Sequence, residues 1–408
     1  MITPAQPHQE LPSPLSTGTD AEPDADREPT IAIVGGSITG PILALLLQKA
    51  GFTKVSVLEA SPRPYAQAGG VIGLDHTSLA TLDALGIPQH EFVPFPSERV
   101  IAVHVADRVE AGRVQTLYPG RNTGWHLLNG ALLNRLPEGW LQPGKAVRSL
   151  SGGNGGKARL EFANAAPVLA DMVIFADGRR SIGRRLLEPS RPLRYAGYVA
   201  WRGQLPHSLP GLYDFTRYET HSTQFNIFPL IRKDGTVGFD WTFYLNMTAE
   251  QFTTLLGADP THRTYVLPHQ ITAEARALVI DQAQLLLPST AADMVTTTNE
   301  WNAAPVLDID APQRMVHSVG NSHAILLGDA LAPVRPHTAR GANQGIDQAQ
   351  GLTIALSQHL HHGADLNAAL DGWQRRYLPA VHTALDLGPQ LGAAMGLGLQ
   401  RVPELVPA

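Results

Sequence analysis

The stretch Thr30-Ile31-Ala32-Ile33-Val34-Gly35-Gly36-Ser37-Ile38-Thr39-Gly40-Pro41 decides the fold, together with the apolar run to Ala50 and Val55-Ser56-Val57-Leu58-Glu59 beyond it. Four consecutive apolar residues, Ile31–Val34, read as a short strand buried on both faces. The run from Pro41 to Ala50 reads as an apolar helix, with Pro41 tolerated in the first turn and Gly51 ending it. Val55–Glu59 is a second buried strand. Between strand and helix stands Gly35-x-Ser37-x-x-Gly40. Glycines at this turn permit a tight bend and close approach of a pyrophosphate, and the helix N-terminus supplies N–H groups to it. Serine at the middle position keeps that approach open. An acid about 20 residues on should hold a ribose, and Glu59 stands there. The unit is a βαβ dinucleotide-binding fingerprint, which by itself does not separate NAD from FAD.

Two further blocks follow buried strands. Val173-Ile174-Phe175-Ala176 opens into Asp177-Gly178-Arg179-Arg180-Ser181-Ile182-Gly183-Arg184. Ala324-Ile325-Leu326-Leu327 opens into Gly328-Asp329, with Pro336 and Gly341-Ala342-Asn343 after it. An acid at a strand end above a nucleotide crevice can accept from a sugar-alcohol hydroxyl. Gly341–Asn343 opens a long helix to about Leu360, whose N–H groups face something anionic.

Between these blocks the pattern changes. Gly69–Gly73 reads as a flexible loop, about Thr77–Leu85 and Trp125–Leu136 as helices, and 92–118 as a strand pair. From about residue 196 to 310 strand-like runs dominate (Tyr198–Leu205, Thr223–Leu230, Gly235–Tyr244), with helices near 248–258 and 273–287. This reads as an antiparallel sheet domain inserted into an α/β domain. A last helix spans about Asp365–Leu385.

The 408 residues suffice for two or three domains. Hydrophobic residues are 43% and charged residues 16%, which excludes a disordered chain or a coiled coil. The net charge of −5 resides in residues 1–30, which hold six acids and one base, so the remainder is neutral. A neutral body gathers no phosphates, and nucleic-acid binding is not expected. There is no cysteine, which excludes disulfides, Cys-ligated metals and a thiol nucleophile, and fits a cytoplasmic location. No apolar run is long enough to span a membrane. The histidines show no metal-binding spacing, so no metal is expected.

In this order and at these separations, the three blocks resemble the three fingerprints of FAD-dependent aromatic hydroxylases with the p-hydroxybenzoate hydroxylase fold. The resemblance covers about residues 31–385. The stretch Ala196–Gly203 with Arg335-Pro336-His337 looks most like the dihydroxypyridine hydroxylase branch. The resemblance implies a Rossmann-like FAD-binding domain in three pieces (31–90, 121–195 and 313–345). It adds substrate-domain strands over 91–120 and a substrate sheet over 196–312. C-terminal helices over 346–408 and a disordered tail over 1–30 complete the division.

It further implies that Gly35, Ser37, Thr39 and Gly40 hold the FAD pyrophosphate, and Glu59 with Ala60 the adenosine ribose. Asp329 would hold the ribitol, Pro336 would flank the flavin, and Gly341, Ala342 and Asn343 would meet its pyrimidine edge through backbone N–H groups. Asp177, with Gly178 and Arg184, matches a block tied to both FAD and NAD(P)H, although a structural salt bridge is an equal reading. Three positions depart from the family: Ala332 for His, Asn129 for Arg on the helix 125–136, and Thr338 for Gly.

The implied reaction consumes NADH or NADPH and O2 and hydroxylates a small electron-rich aromatic or heteroaromatic through a flavin C4a-hydroperoxide. His337 is the candidate to help deprotonate a substrate hydroxyl. Alternation places Gln224 and Asn226 on one strand face and Asp240 and Tyr244 on another, as substrate candidates. A monomer or homodimer is expected. An NAD(P)-dependent dehydrogenase and a flavoprotein-like binding protein remain alternatives, separable by FAD content.

Overall fold

The computed structural model describes residues 28–64, 70–206, 212–232, 234–263 and 265–398. Most of the acidic tail and Gly69 lie outside the described residues. Along the chain run β1 (Ile31–Val34), α1 (Thr39–Lys49), β2 (Val55–Glu59), β3 (Val71–Asp75), α2 (His76–Ala84), β4 (Arg99–Ala106) and β5 (Val109–Leu117). There follow β6 (Gly120–Gly124), α3 (Trp125–Leu133), β7 (Leu141–Pro143), β8 (Val147–Gly152), β9 (Ala158–Phe162), β10 (Val168–Ala170) and β11 (Met172–Phe175). Next come α4 (Ile182–Leu187), β12 (Arg194–Leu205), β13 (Phe215–Glu219), β14 (Gln224–Ile231), β15 (Val237–Asn246), α5 (Ala249–Leu256), α6 (Ala273–Leu286) and α7 (Ser289–Thr297). The chain continues through β16 (Trp301–Asp308), β17 (Val316–Val319), β18 (Ser322–Leu326), α8 (Gly341–His362) and α9 (Leu366–Ala394).

The first sheet has the order β17-β18-β11-β1-β2-β7. Its strands are parallel except β17. β1 is buried at every residue because it lies between β2 and β11 and is covered on both faces. Helix α1 buries nearly its whole circumference between this sheet and α8. The strand order turns outward in both directions from β1, so a crevice opens beyond its carboxyl end, where open α/β sheets bind nucleotides.

The second sheet, β16-β12-β15-β14-β13-β4-β5, has seven strands. The expectation of a wholly antiparallel sheet needs one correction, since β13 and β4 run parallel. Strand alternation sorts its two faces. Trp201, Trp241, Trp301 and Phe225 are fully buried in a core shared with α5, α6 and α7. Arg202, Asp240, Thr242 and Tyr244 point the other way, into a cavity between the two sheets.

The loop expected at Gly69–Gly73 is also corrected. Val71–Asp75 is a strand, paired antiparallel with Gly120–Gly124 and packed on α8. Helix α9 runs past the expected stop near Leu385, through Pro379 and Pro389. Both prolines are exposed, on the side where water can satisfy the carbonyl groups they leave unpaired. Among the described residues, no helix is long and apolar enough to cross a membrane.

Candidate active site

Steric limits set the turn after β1. Gly35 has φ +115°, and a Cβ there would lie 2.4 Å from the carbonyl oxygen of Ala176 at the end of β11. Only glycine allows that approach. The turn is braced by polar contacts. The Gly36 N–H donates to Glu59 Oε2 at 2.8 Å, and the Ser61 N–H donates to Glu59 Oε1 at 2.7 Å. From α3, Trp125 Nε1 donates to Ser37 Oγ at 3.1 Å, while Asn129 Nδ2 donates to the Ser37 and Gly36 carbonyls at 2.6 and 3.1 Å. Thr39 wedges between Gly328 and Gly345 of α8. No side chain caps α1. The turn is therefore a rigid cradle of backbone at a helix N-terminus.

A cavity of about 970 Å³ lies between the sheets. That is the upper end of the roughly 300–1,000 Å³ usual for small-molecule sites. Asp329, Pro336, Gly341 and Ala342 line one side; Gln224, Asn226, Asp240 and Tyr244 line the opposite side. Sequence reasoning thus named residues on both walls. Gly35, Ser37, Thr39, Gly40, Glu59, Ala60, Asn129, Asp177 and Asn343 are not among its lining residues. The first seven belong to the cradle beside it.

Asp177 and Asn343 have structural employment. Asp177 accepts from the Ile182 and Gly183 N–H groups at 2.7 and 3.4 Å, starting α4. Burial pushes its carboxyl up, and its second oxygen has no partner. Arg184 makes no ion pair with it. It donates instead to the carbonyls of Asp329 (3.0 Å), Ala330 (2.8 Å) and Arg179, tying the second block to the third. The salt-bridge reading is thereby replaced by a carbonyl clasp. The Asn343 side chain accepts from the Asp75 N–H and Ser78 Oγ and donates to the Gly73 and Ala339 carbonyls. It locks β3 and α2 onto α8, leaving Gly341 and Ala342 to face the cavity.

His337 is enclosed between Tyr198 and Tyr244, with ring centroids 5.7 and 4.4 Å away. Neither ring nitrogen has a partner. Burial first, then Arg335 and Arg217, hold its pKa down to about 3. It is thus a neutral ring and a weak base at ordinary pH, surroundings that do not favour the expected role of accepting the substrate's proton. Asp240 is better suited to that task. Burial pushes its carboxyl up to about 6, against the lowering effects of Arg202 and of Gln204. Tyr244 is pushed up to about 12 by burial and remains a hydroxyl donor. Asn226 Oδ1 has no partner, and Gln224 Nε2 donates to Met395 Sδ at 3.1 Å.

Three features escaped the sequence reading. Arg202 lines the cavity beside Asp240; the alternation of Trp201-Arg202-Gly203 was signal enough to find it. Arg335 pairs with Asp308 through two bonds of 2.7 and 2.6 Å and sits over the Tyr198 ring. Gly388 and Gly392 of α9 leave room for its side chain, since a Cβ at Gly392 would lie 2.5 Å from Arg335 Nη1. The third is the end of α9, where Leu391, Ala394 and Met395 wall the cavity. Asn246 clamps it, donating to the Gly396 carbonyl at 2.7 Å and accepting from the Gly398 N–H at 2.8 Å.

The chain is 28% identical over 386 residues to 2,6-dihydroxypyridine 3-monooxygenase of Paenarthrobacter nicotinovorans, with 89% of this chain and 90% of that protein covered. The solved 2,6-dihydroxypyridine-3-hydroxylase of Arthrobacter nicotinovorans superposes with a TM-score of 0.78 at 24% identity, over 93% of this chain and 95% of that one. This chain is similar in sequence and fold to aromatic-ring monooxygenases. This chain also shares its fold with HpxO of Klebsiella pneumoniae, solved with FAD and uric acid, at a TM-score of 0.71 and 18% identity. That match covers 90% of this chain and 89% of HpxO. No protein-family model matches the chain. The three fingerprints of the sequence imply FAD as the cofactor of this chain. Its residues fit that cofactor. The Gly35 cradle and uncapped α1 suit a pyrophosphate. Half-buried Asp329 and the uncapped start of α8 suit the polyol and the ring edge.

Proposed function

We propose that this enzyme hydroxylates a small, electron-rich, hydroxylated aromatic or heteroaromatic ring in the cavity between the two sheets. The related enzyme from Paenarthrobacter, named for 2,6-dihydroxypyridine, supports a ring of this size and polarity. The observation that carries the reading is one cavity bounded on one side by Asp329 and the start of α8, and on the other by Asn226, Asp240 and Tyr244. Bound FAD, reduced by NADH or NADPH, supplies the oxygen-transfer chemistry.

The side chains then divide the remaining work. Asp240, poised near neutral pH, takes the proton from a substrate hydroxyl and so enriches the ring. Tyr244 donates to a ring substituent, and neutral His337 offers either a donor or an acceptor. Pro336, Met395 and Leu391 exclude water. Gly35, Ser37, Thr39 and Gly40 hold the pyrophosphate, Glu59 and Ala60 lie toward the adenosine, and Asn129 fixes the turn. Asp329 holds the polyol, Gly341 and Ala342 meet the ring edge through backbone N–H groups, and Asp177 and Asn343 support these loops. A cytoplasmic enzyme, monomeric or homodimeric, acting on a small molecule with O2 and free of nucleic acid, metal and membrane, completes the reading.

The test is the visible spectrum of the purified protein with identification of any chromophore released on denaturation, followed by a screen of phenols and hydroxypyridines. Stoichiometric FAD with ring-stimulated NAD(P)H and O2 consumption is expected. A colourless protein that takes up no added FAD would overturn the reading.

A further inference from the structure

The polar end of the cavity carries an arrangement more specific than a general preference for rings. Arg202 on β12 and Asp240 on β15 occupy diagonal positions on the same sheet face, because Arg202 stands opposite Thr242 and Gln204 opposite Asp240. Both line the cavity. Among the described residues no ion pair closes them within 4 Å, and Arg202 makes no hydrogen bond. Its buried Nε lacks a partner. The Asp240 carboxylate receives one long bond, from Gln204 Nε2 at 3.4 Å. A cation with free donors and an anion with free acceptor capacity therefore line the same cavity.

The other cations around the cavity are already answered. Arg335 holds Asp308 at 2.6 Å, Arg217 holds Glu219 at 2.7 Å, and Arg179 lies in the field of Asp329. Among the described residues that line the cavity, Arg202 is thus the arginine without an acidic partner. The nearby free groups, Asn226 Oδ1 and the His337 nitrogens, are neutral.

Resting on the hydroxylase reading above, we propose that Arg202 and Asp240 select an uncharged cyclic amide edge, a ring carbonyl beside a ring N–H, and reject ring carboxylates. The carbonyl oxygen accepts from the Arg202 guanidinium, and the adjacent N–H donates to the Asp240 carboxylate. This pairing satisfies two desolvated charges with one rigid edge. A carboxylate in the same place would satisfy Arg202 and face Asp240, and like charges sharing a desolvated site repel.

The test is calorimetric binding to the FAD-loaded enzyme at pH 8, with two matched pairs of rings. Benzamide and benzoate each offer a single polar edge, an uncharged carbonyl beside an N–H in the one and a carboxylate in the other. 2-Pyridone and N-methyl-2-pyridone differ by the N–H. The amide should bind about tenfold or more tightly than the carboxylate, and 2-pyridone about tenfold or more tightly than its N-methyl form. Asp240→Asn should shrink the carboxylate penalty to below about threefold, and Arg202→Met should weaken 2-pyridone by about tenfold or more. The wild-type comparison stands even if a variant fails to fold. Equal or tighter binding of the carboxylate, an N-methyl form that binds as well as 2-pyridone, or no binding by any of the four rings overturns the proposal. Each of these outcomes leaves FAD content and ring-stimulated NAD(P)H oxidation to be read separately, so failure of the selector is distinct from failure of the hydroxylase reading.

Discussion

Asp347, in the second turn of α8, is half-buried and makes no hydrogen bond or ion pair among the described residues. Burial and the nearby carboxylate of Asp75 push its own carboxyl up to about 6, and Arg340 offsets this only in part. A raised acid in the folded state means that the native protein keeps a proton which the unfolded chain releases near pH ~3.9. Stability is then lost as pH rises between those values, and the cost is fully present above about pH 6. Each tenfold in proton affinity is worth about 1.36 kcal/mol, so the ceiling is about 3 kcal/mol. Partial exposure screens this toward about 1–2 kcal/mol. Asp347→Asn removes the charge at nearly the same helix propensity and size. Urea unfolding should show the variant more stable by about 1–2 kcal/mol at pH 8 and equal to wild type within about 0.5 kcal/mol at pH 4. A gain of the same size at both pH values, or a loss at pH 8, would refute the electrostatic reasoning.

Gly35→Ala should cost more than about 1 kcal/mol and lower the flavin-to-protein ratio, because a Cβ at φ +115° meets the Ala176 carbonyl; full FAD occupancy with unchanged melting would count against the cradle. Asn129→Ala leaves two carbonyls of the turn without their donor and should cost about 1–3 kcal/mol by urea unfolding, with faster release of FAD on dilution. Asp308→Ala strands the Arg335 guanidinium, which is 9% exposed against 25% for Asp308, and should destabilise by about 2–3 kcal/mol, on the low side for a broken buried pair. The acid limb of kcat/KM should fall with a midpoint near pH 6, set by Asp240. His337→Gln should leave that midpoint in place, and its displacement would return the proton to His337.

The βαβ unit was legible in the sequence because steric demands are local. Gly35, Gly40 and Glu59 act within one turn and two strands, and the spacing encodes them. The cavity face of the second sheet was half legible. Alternation grouped Gln224 with Asn226 and Asp240 with Tyr244, but which face meets the cavity depends on α5, α6 and α7 covering the tryptophans of the other side. The role of His337 was not legible. Its neutrality arises from Tyr198, Tyr244, Arg335 and Arg217, which come from four different places in the chain. Nor does any local signal distinguish the Asn343 side chain, consumed by β3 and α2, from the backbone that opens α8 beside it. Strand Val71–Asp75 was hidden by its glycines, since its pairing with Gly120–Gly124 is set across a long separation.

The wall formed by the end of α9 has a consequence for how the enzyme matures. Both sheets, the cradle and α8 precede residues 391–398 in the chain, so that segment is made after them. Until it docks, the cavity lacks this wall, Gln224 lacks Met395 and Asn246 lacks its clamp partners. Seating Met395 walls the cavity and engages Gln224 together. Docking of this segment therefore completes the wall opposite the cradle from residues made after the cradle and both sheets.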